Sequence, residues 1–119
     1  MNIYQEVILD HYKYPHNWGA LKKPDRHITI NNPLCGDKFD MDAIIDKNIL
    51  KEVTFSGEGC AISTASASML TDYAKGKKIS DLQKLNASFI LKLVGIELSP
   101  NRLKCALLPL EGLQKLLVK

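Results

Sequence analysis

The chain has little of what marks a secreted, membrane-bound or nucleic-acid-binding protein. No apolar run approaches the roughly 18–20 residues that a membrane-spanning helix needs. The opening Met1-Asn2-Ile3-Tyr4-Gln5-Glu6 lacks the basic region and apolar stretch of a secretory signal. There are only three cysteines, an odd count that rules out a closed set of internal disulfides. Together these absences predict a cytoplasmic protein with reduced thiols, where a metal or redox role suits cysteine better than cross-linking does. Excess charge is also scarce: 16 Lys and Arg against 13 Asp and Glu leave a net +3. The lysines, among them Lys22, Lys23, Lys75, Lys77, Lys78 and Lys115, are scattered and not interleaved with aromatic residues. That pattern predicts a solvated surface and no nucleic-acid or membrane partner.

What is present is ordinary for a globular chain: 119 residues, 45% hydrophobic and 24% charged. The length predicts a single domain, 1–119, able to bury its own core. Tyr4, Val7, Ile8, His11 and Tyr12 recur at helical spacing, and Pro15 predicts an end near Tyr14. Residues 15–19 read as a turn or loop. A first strand is expected at 27–31. Phe39, Met41, Ala43 and Ile45 alternate with aspartates as a second strand, with Ile44 as the exception. A turn at 46–48 leads to a return strand over Ile49, Lys51, Val53 and Phe55. Beyond Cys60, the face of Ile62, Ala65, Met69, Leu70 and Tyr73 predicts a helix stopped near Gly76. Ser80 and Asn86 are candidate caps for short helices over 81–85 and 87–94. Ser99-Pro100 predicts the start of a last helix, which Pro109 should kink or restart. The expected fold class is α+β, a three-stranded antiparallel sheet with helices packed on one face.

The three cysteines lie in different settings. Cys35 sits in Asn32-Pro33-Leu34-Cys35-Gly36-Asp37, where Gly36 permits close backbone approach and Asp37 can turn an oxygen toward the same point. Cys60 stands at a strand-to-helix junction, where backbone N–H groups and the helix dipole favour a thiolate. Cys105 follows Lys104, whose ammonium would lower a neighbouring thiol pKa, yet a helix cysteine facing Leu103, Leu107 and Leu108 fits the spacing equally well. Converged, three thiolates and one carboxylate would make four ligands for one ion or small cluster. The intervals do not match the paired Cys-x-x-Cys of zinc ribbons and fingers, so spacing alone does not identify a site. The histidines at 11, 16 and 27 show no metal-ligand spacing. Ser63, Thr64, Ser66 and Ser68 are expected to be helix-packing residues, and Asp40 and Asp42 a solvated strand face.

Four segments together resemble the IscU/NifU-like iron–sulfur cluster assembly scaffolds, and within them the SufU branch. They are the run from Val7 to Gly19, Asn32–Asp37, Phe55–Ser63 and Arg102–Pro109. The resemblance implies Cys35, Asp37, Cys60 and Cys105 as ligands of a transient cluster, 2Fe–2S by expectation, or of Zn²⁺ when no cluster is held. It implies a cysteine desulfurase as sulfur donor, docking on the N-terminal helix (Tyr4, Val7 and Ile8) and the cysteine loops, and apoproteins as recipients. A non-enzymatic scaffold is the expected role. The alternatives are a zinc-dependent sulfurtransferase, with Cys105 as sulfur acceptor beside Lys104, and a structural zinc module. Two departures stand out. Lys104 occupies the place of the histidine that precedes the third cysteine in the IscU branch. The Leu-Pro-Pro-Val-Lys segment is replaced by Glu97-Leu98-Ser99-Pro100-Asn101-Arg102-Leu103, which argues against an Hsp70-type chaperone partner. The interval from Cys60 to Cys105 has IscU length, without the insertion usual in SufU proteins.

Overall fold

The structure is a computed structural model that describes residues 3–33 and 36–118. Helix α1 (Ile3–Lys13) leads into strands β1 (Arg26–Asn32), β2 (Asp37–Asp46) and β3 (Ile49–Glu58). Helices α2 (Ala61–Ala74), α3 (Ile79–Leu82), α4 (Ala87–Val94) and α5 (Pro100–Leu116) follow. The three strands form an antiparallel sheet in the order β1-β2-β3. The alternation of the sequence fixes its sidedness. Ile30, Phe39, Met41, Ala43, Val53 and Phe55 are buried on one face, where α2 and α5 pack. Lys47 and Asn48 both have positive φ, 51° and 65°, as a two-residue type I′ hairpin requires. The Ile44 exception has a local cause: Ile44 pairs with Glu52 but Ile45 with Leu50, so Lys51 is an extra residue that bulges out of β3.

The loop after α1 closes the free edge of β3. Phe55 N–H donates to the Asn17 carbonyl (3.0 Å) and the Gly19 N–H donates to the Phe55 carbonyl (2.9 Å). Trp18 packs edge-on against Phe55, which in turn packs edge-on against Phe39. A single buried residue, Ile8, ties α1 to the core, while Ile3, Tyr4, Val7, Leu9 and Tyr12 stay exposed. Ile8 therefore does not belong to any docking surface, contrary to expectation; Tyr4 and Val7 remain available.

Asn86 and Ser99 cap α4 and α5 as expected, each accepting from the N–H three residues on. Ser80 does not cap a helix. Leu50 N–H donates to Lys77 O and Ile79 N–H to Asn48 O, which fixes the chain as extended at Lys78, and α3 starts immediately after it. Pro109 does not break α5. The proline is buried, and the Ser66 hydroxyl of α2 donates to the Ala106 carbonyl at 2.7 Å, tying α2 to α5.

Candidate metal centre

The register of the sheet brings the start of β2 beside the end of β3. Lys38 pairs with Glu58, so Asp37 lies next to the turn that enters α2. Cys60 is the N-cap of that helix, extended at φ −72° and ψ 173°, and its sulfur takes the place of the usual capping oxygen. Ser63 N–H donates to Cys60 Sγ at 3.4 Å, and the Ser63 hydroxyl lies 3.5 Å from the same sulfur. Gly59 permits this closeness, since a Cβ there would come within 2.5 Å of both Ser63 Oγ and the Phe39 ring.

Asp37 is 2% exposed. Its Oδ1 accepts from Cys60 N–H at 3.0 Å, whereas its Oδ2 is buried without a hydrogen-bond partner among the described residues. Cys105, on α5, is also buried. The ligating atoms of Asp37, Cys60 and Cys105 all lie within 4.8 Å of one another. Two thiolates bound tetrahedrally at about 2.3 Å from Zn²⁺ stand roughly 3.8 Å apart, so these groups need to close in by no more than about 1 Å to share one ion. A buried carboxylate oxygen with no donor is costly unless something cationic satisfies it, and here that carboxylate stands beside two thiols. The donor set fits both Zn²⁺ and an iron–sulfur centre. Cys35 lies outside the described residues. In sequence it stands two residues before Asp37.

Burial pushes the Cys60 thiol up. Hydrogen bonds from the Ser63 backbone and hydroxyl, with a further one from Cys105, outweigh burial and the opposing charge of Asp37, and leave it below the ordinary thiol value. Of the two described cysteines, Cys60 is the approachable one: it is half-buried, whereas Cys105 is 1% exposed. A cleft of about 600 Å³ lined by Tyr12, Pro15, Trp18, Glu58 and Thr64 opens beside Gly59. Lys104 is exposed on α5 and borders a second cavity with Asn31, Pro33 and Glu111.

Other chemistry-bearing residues lie outside this cluster. His11 Nδ1 meets the Ser68 hydroxyl at 2.7 Å, and His16 pairs with Asp72 at 2.5 Å, so both histidines fasten α1 and its loop to α2. Asp42 is not the solvated residue expected. It is 6% exposed, accepts from Leu21 N–H at 3.0 Å and pairs with His27 at 2.5 Å, because the loop before β1 folds over that end of the sheet. Asp40 is exposed, as expected. The residue missed in the site is Ser63. Its position three after a capping cysteine is the signal that could have found it.

The chain is similar to known proteins over nearly its whole length. The family model for the NifU-like N-terminal domain matches residues 3–119. The zinc-dependent sulfurtransferase SufU of Bacillus subtilis (strain 168) is 37% identical over 130 aligned positions, covering 95% of this chain and 88% of that protein. That alignment is longer than the 119-residue chain, so SufU carries residues that this chain lacks. The iron–sulfur cluster assembly scaffold protein IscU of Streptococcus pyogenes serotype M1 is 31% identical, covering 96% of this chain and 82% of that protein. A crystal structure from Fervidobacterium islandicum AW-1, described as a cluster assembly scaffold for the SUF system, superposes with a TM-score of 0.80. It is 26% identical and covers 95% of each chain. The chain belongs to the NifU-like N-terminal domain family.

Proposed function

We propose that this chain is an iron–sulfur cluster assembly scaffold, acting as one domain in the cytoplasm. It accepts sulfur from a cysteine desulfurase, holds a transient 2Fe–2S cluster on Cys35, Asp37, Cys60 and Cys105, and passes it to apoproteins. The observation that carries this is the convergence of Asp37, Cys60 and Cys105, with one buried Asp37 oxygen unpartnered among the described residues. In the sulfur-transfer step a thiolate attacks the outer sulfur of the donor persulfide. A new S–S bond forms, the donor S–S bond breaks, and the donor cysteine leaves as a thiolate. Reduction of that sulfur to sulfide takes two electrons from an external reductant. The carboxylate supports release, since it holds soft iron–sulfur cargo less firmly than a fourth thiolate would. The exposed Tyr4 and Val7 of α1, with the cysteine loops, form the docking surface for the desulfurase. No Hsp70-type chaperone is required, because residues 97–103 lack the segment it would grasp.

A second reading is favoured by the SufU likeness and by Lys104 beside Cys105. In it the four ligands hold Zn²⁺, and Cys105 leaves the metal to accept persulfide sulfur; its burial requires the flanking segment to move. Anaerobic incubation with Fe²⁺, L-cysteine, a thiol reductant such as dithiothreitol and a cysteine desulfurase separates the two. The scaffold yields a chromophore of sulfide-bridged iron that an apoferredoxin takes up. Sulfur acceptance without any cluster would reject the scaffold and leave the sulfurtransferase.

A further inference from the structure

We infer that the Ser63 hydroxyl is a rotating hydrogen-bond donor, turning from the Cys60 carbonyl onto the Cys60 sulfur when that sulfur is a metal-bound thiolate. It thereby acts as a positioning residue for one ligand. The inference rests on the metal-holding role proposed above and adds a residue to it.

Two acceptors stand within reach of one hydroxyl. Ser63 Oγ is 3.2 Å from the Cys60 carbonyl oxygen and 3.5 Å from Cys60 Sγ. In the thiol form the arrangement is closed: the S–H donates to Ser63 Oγ and the hydroxyl donates to the carbonyl. Metal binding removes the sulfur proton. The sulfur then only accepts, and Ser63 Oγ loses the donor it had. Rotation about one Cβ–Oγ bond restores the pairing by aiming the hydroxyl at the sulfur. A bond to an ionised acceptor is about twice as strong as a neutral one.

Two further observations make this rotation inexpensive. The Cys60 carbonyl already accepts the helical Thr64 N–H at 3.0 Å, so it is not orphaned when the hydroxyl leaves. Ser63 is 0% exposed, so bulk water does not compete for its hydrogen. The seat is also crowded from the far side, where the missing Cβ of Gly59 leaves just enough room for Ser63 Oγ. The Ser63 N–H, fixed by the helix start, supplies a constant second donor to the same sulfur. The hydroxyl differs from it in following the charge on the sulfur.

Donors aimed at a ligating sulfur withdraw charge from it. They raise the potential of an iron–sulfur centre and lower the energy of the sulfur lone pairs. Titration of the apoprotein with Co²⁺ alone reads this directly through the sulfur-to-cobalt charge-transfer band. Ser63→Ala should move the band to longer wavelength and weaken Co²⁺ binding by about tenfold. In reconstituted protein, the same substitution should lower the reduction potential. Ser66→Ala, which removes another buried hydroxyl of α2, should lower thermal stability without moving the band. An unmoved band with unchanged Co²⁺ affinity in Ser63→Ala would overturn the inference while leaving the metal site intact. Absence of any thiolate–cobalt band in the unmutated protein would overturn both.

Discussion

Asp37 offers Cys60 one oxygen and keeps the other free. Its Oδ1 accepts the Cys60 N–H at 3.0 Å, while the buried Oδ2 has no hydrogen-bond partner among the described residues. The carboxylate thus braces the helix start that carries the thiol and still presents an acceptor to whatever the thiols hold. Asp37→Asn keeps the brace, because an amide oxygen can accept the same N–H, but loses the charged ligand. The variant should stay folded and bind Zn²⁺ at least about tenfold more weakly, a loss of about 1.4 kcal/mol. Circular dichroism with a competitive chelator titration checks this. An unfolded variant would favour the structural zinc module instead.

Gly59→Ala places a Cβ within 2.5 Å of the Phe39 ring and Ser63 Oγ. Phe39 is core, so it has little room to give. The substitution should cost about 1–3 kcal/mol of stability and impair metal binding together. Denaturant unfolding alongside metal titration would reveal both losses; a variant as stable as the parent would contradict the crowding described.

Position on α1 separates docking from folding. Ile8 is 4% exposed and Val7 is 40% exposed. Ile8→Ala should destabilise the protein by about 2–4 kcal/mol. Val7→Asp should change stability by no more than about 0.5 kcal/mol yet weaken desulfurase binding. Calorimetric binding combined with thermal unfolding distinguishes them, and undiminished binding by Val7→Asp would remove this face from the docking surface.

Burial, reinforced by the charge of His16, holds His11 below its usual pKa of 6.5, against the opposing pull of Asp72 and Asp10. The unfolded chain then takes up the proton more readily than the folded one. Stability is full above about 6.5 and declines as pH falls through that value toward the lower folded pKa. The thermal midpoint should drop between about pH 7.5 and about pH 5.5. His11→Gln, which retains a partner for Ser68 but not the titration, should show a smaller drop. Equal drops would remove His11 as the cause.

Much of the fold was legible because local rules and tertiary contacts agree. The strands followed alternation, and Asn86 and Ser99 cap the helices that their chemistry announced. Misreadings arose where distant segments decide. Pro109 is carried, buried, within α5, a helix that packs against α2 and the sheet. Ser80 lost its cap because β3 pairs with the chain just before it. Asp42 is buried by a loop some twenty residues upstream, which no strand pattern contains. In the site, Asp37, Cys60 and Cys105 were recognisable as types, but only folding shows that their atoms meet. Ser63 hid among small helix residues because its role depends on the capping geometry of Cys60.

The most direct test of the metal centre is Zn K-edge X-ray absorption on the zinc-loaded protein and on three single variants, Cys35→Ala, Cys60→Ala and Cys105→Ala. The prediction is a four-coordinate shell of three sulfurs near 2.3 Å and one oxygen near 2.0 Å, with each substitution removing one sulfur. A shell of oxygen and nitrogen alone, or one that all three substitutions leave unchanged, would contradict it.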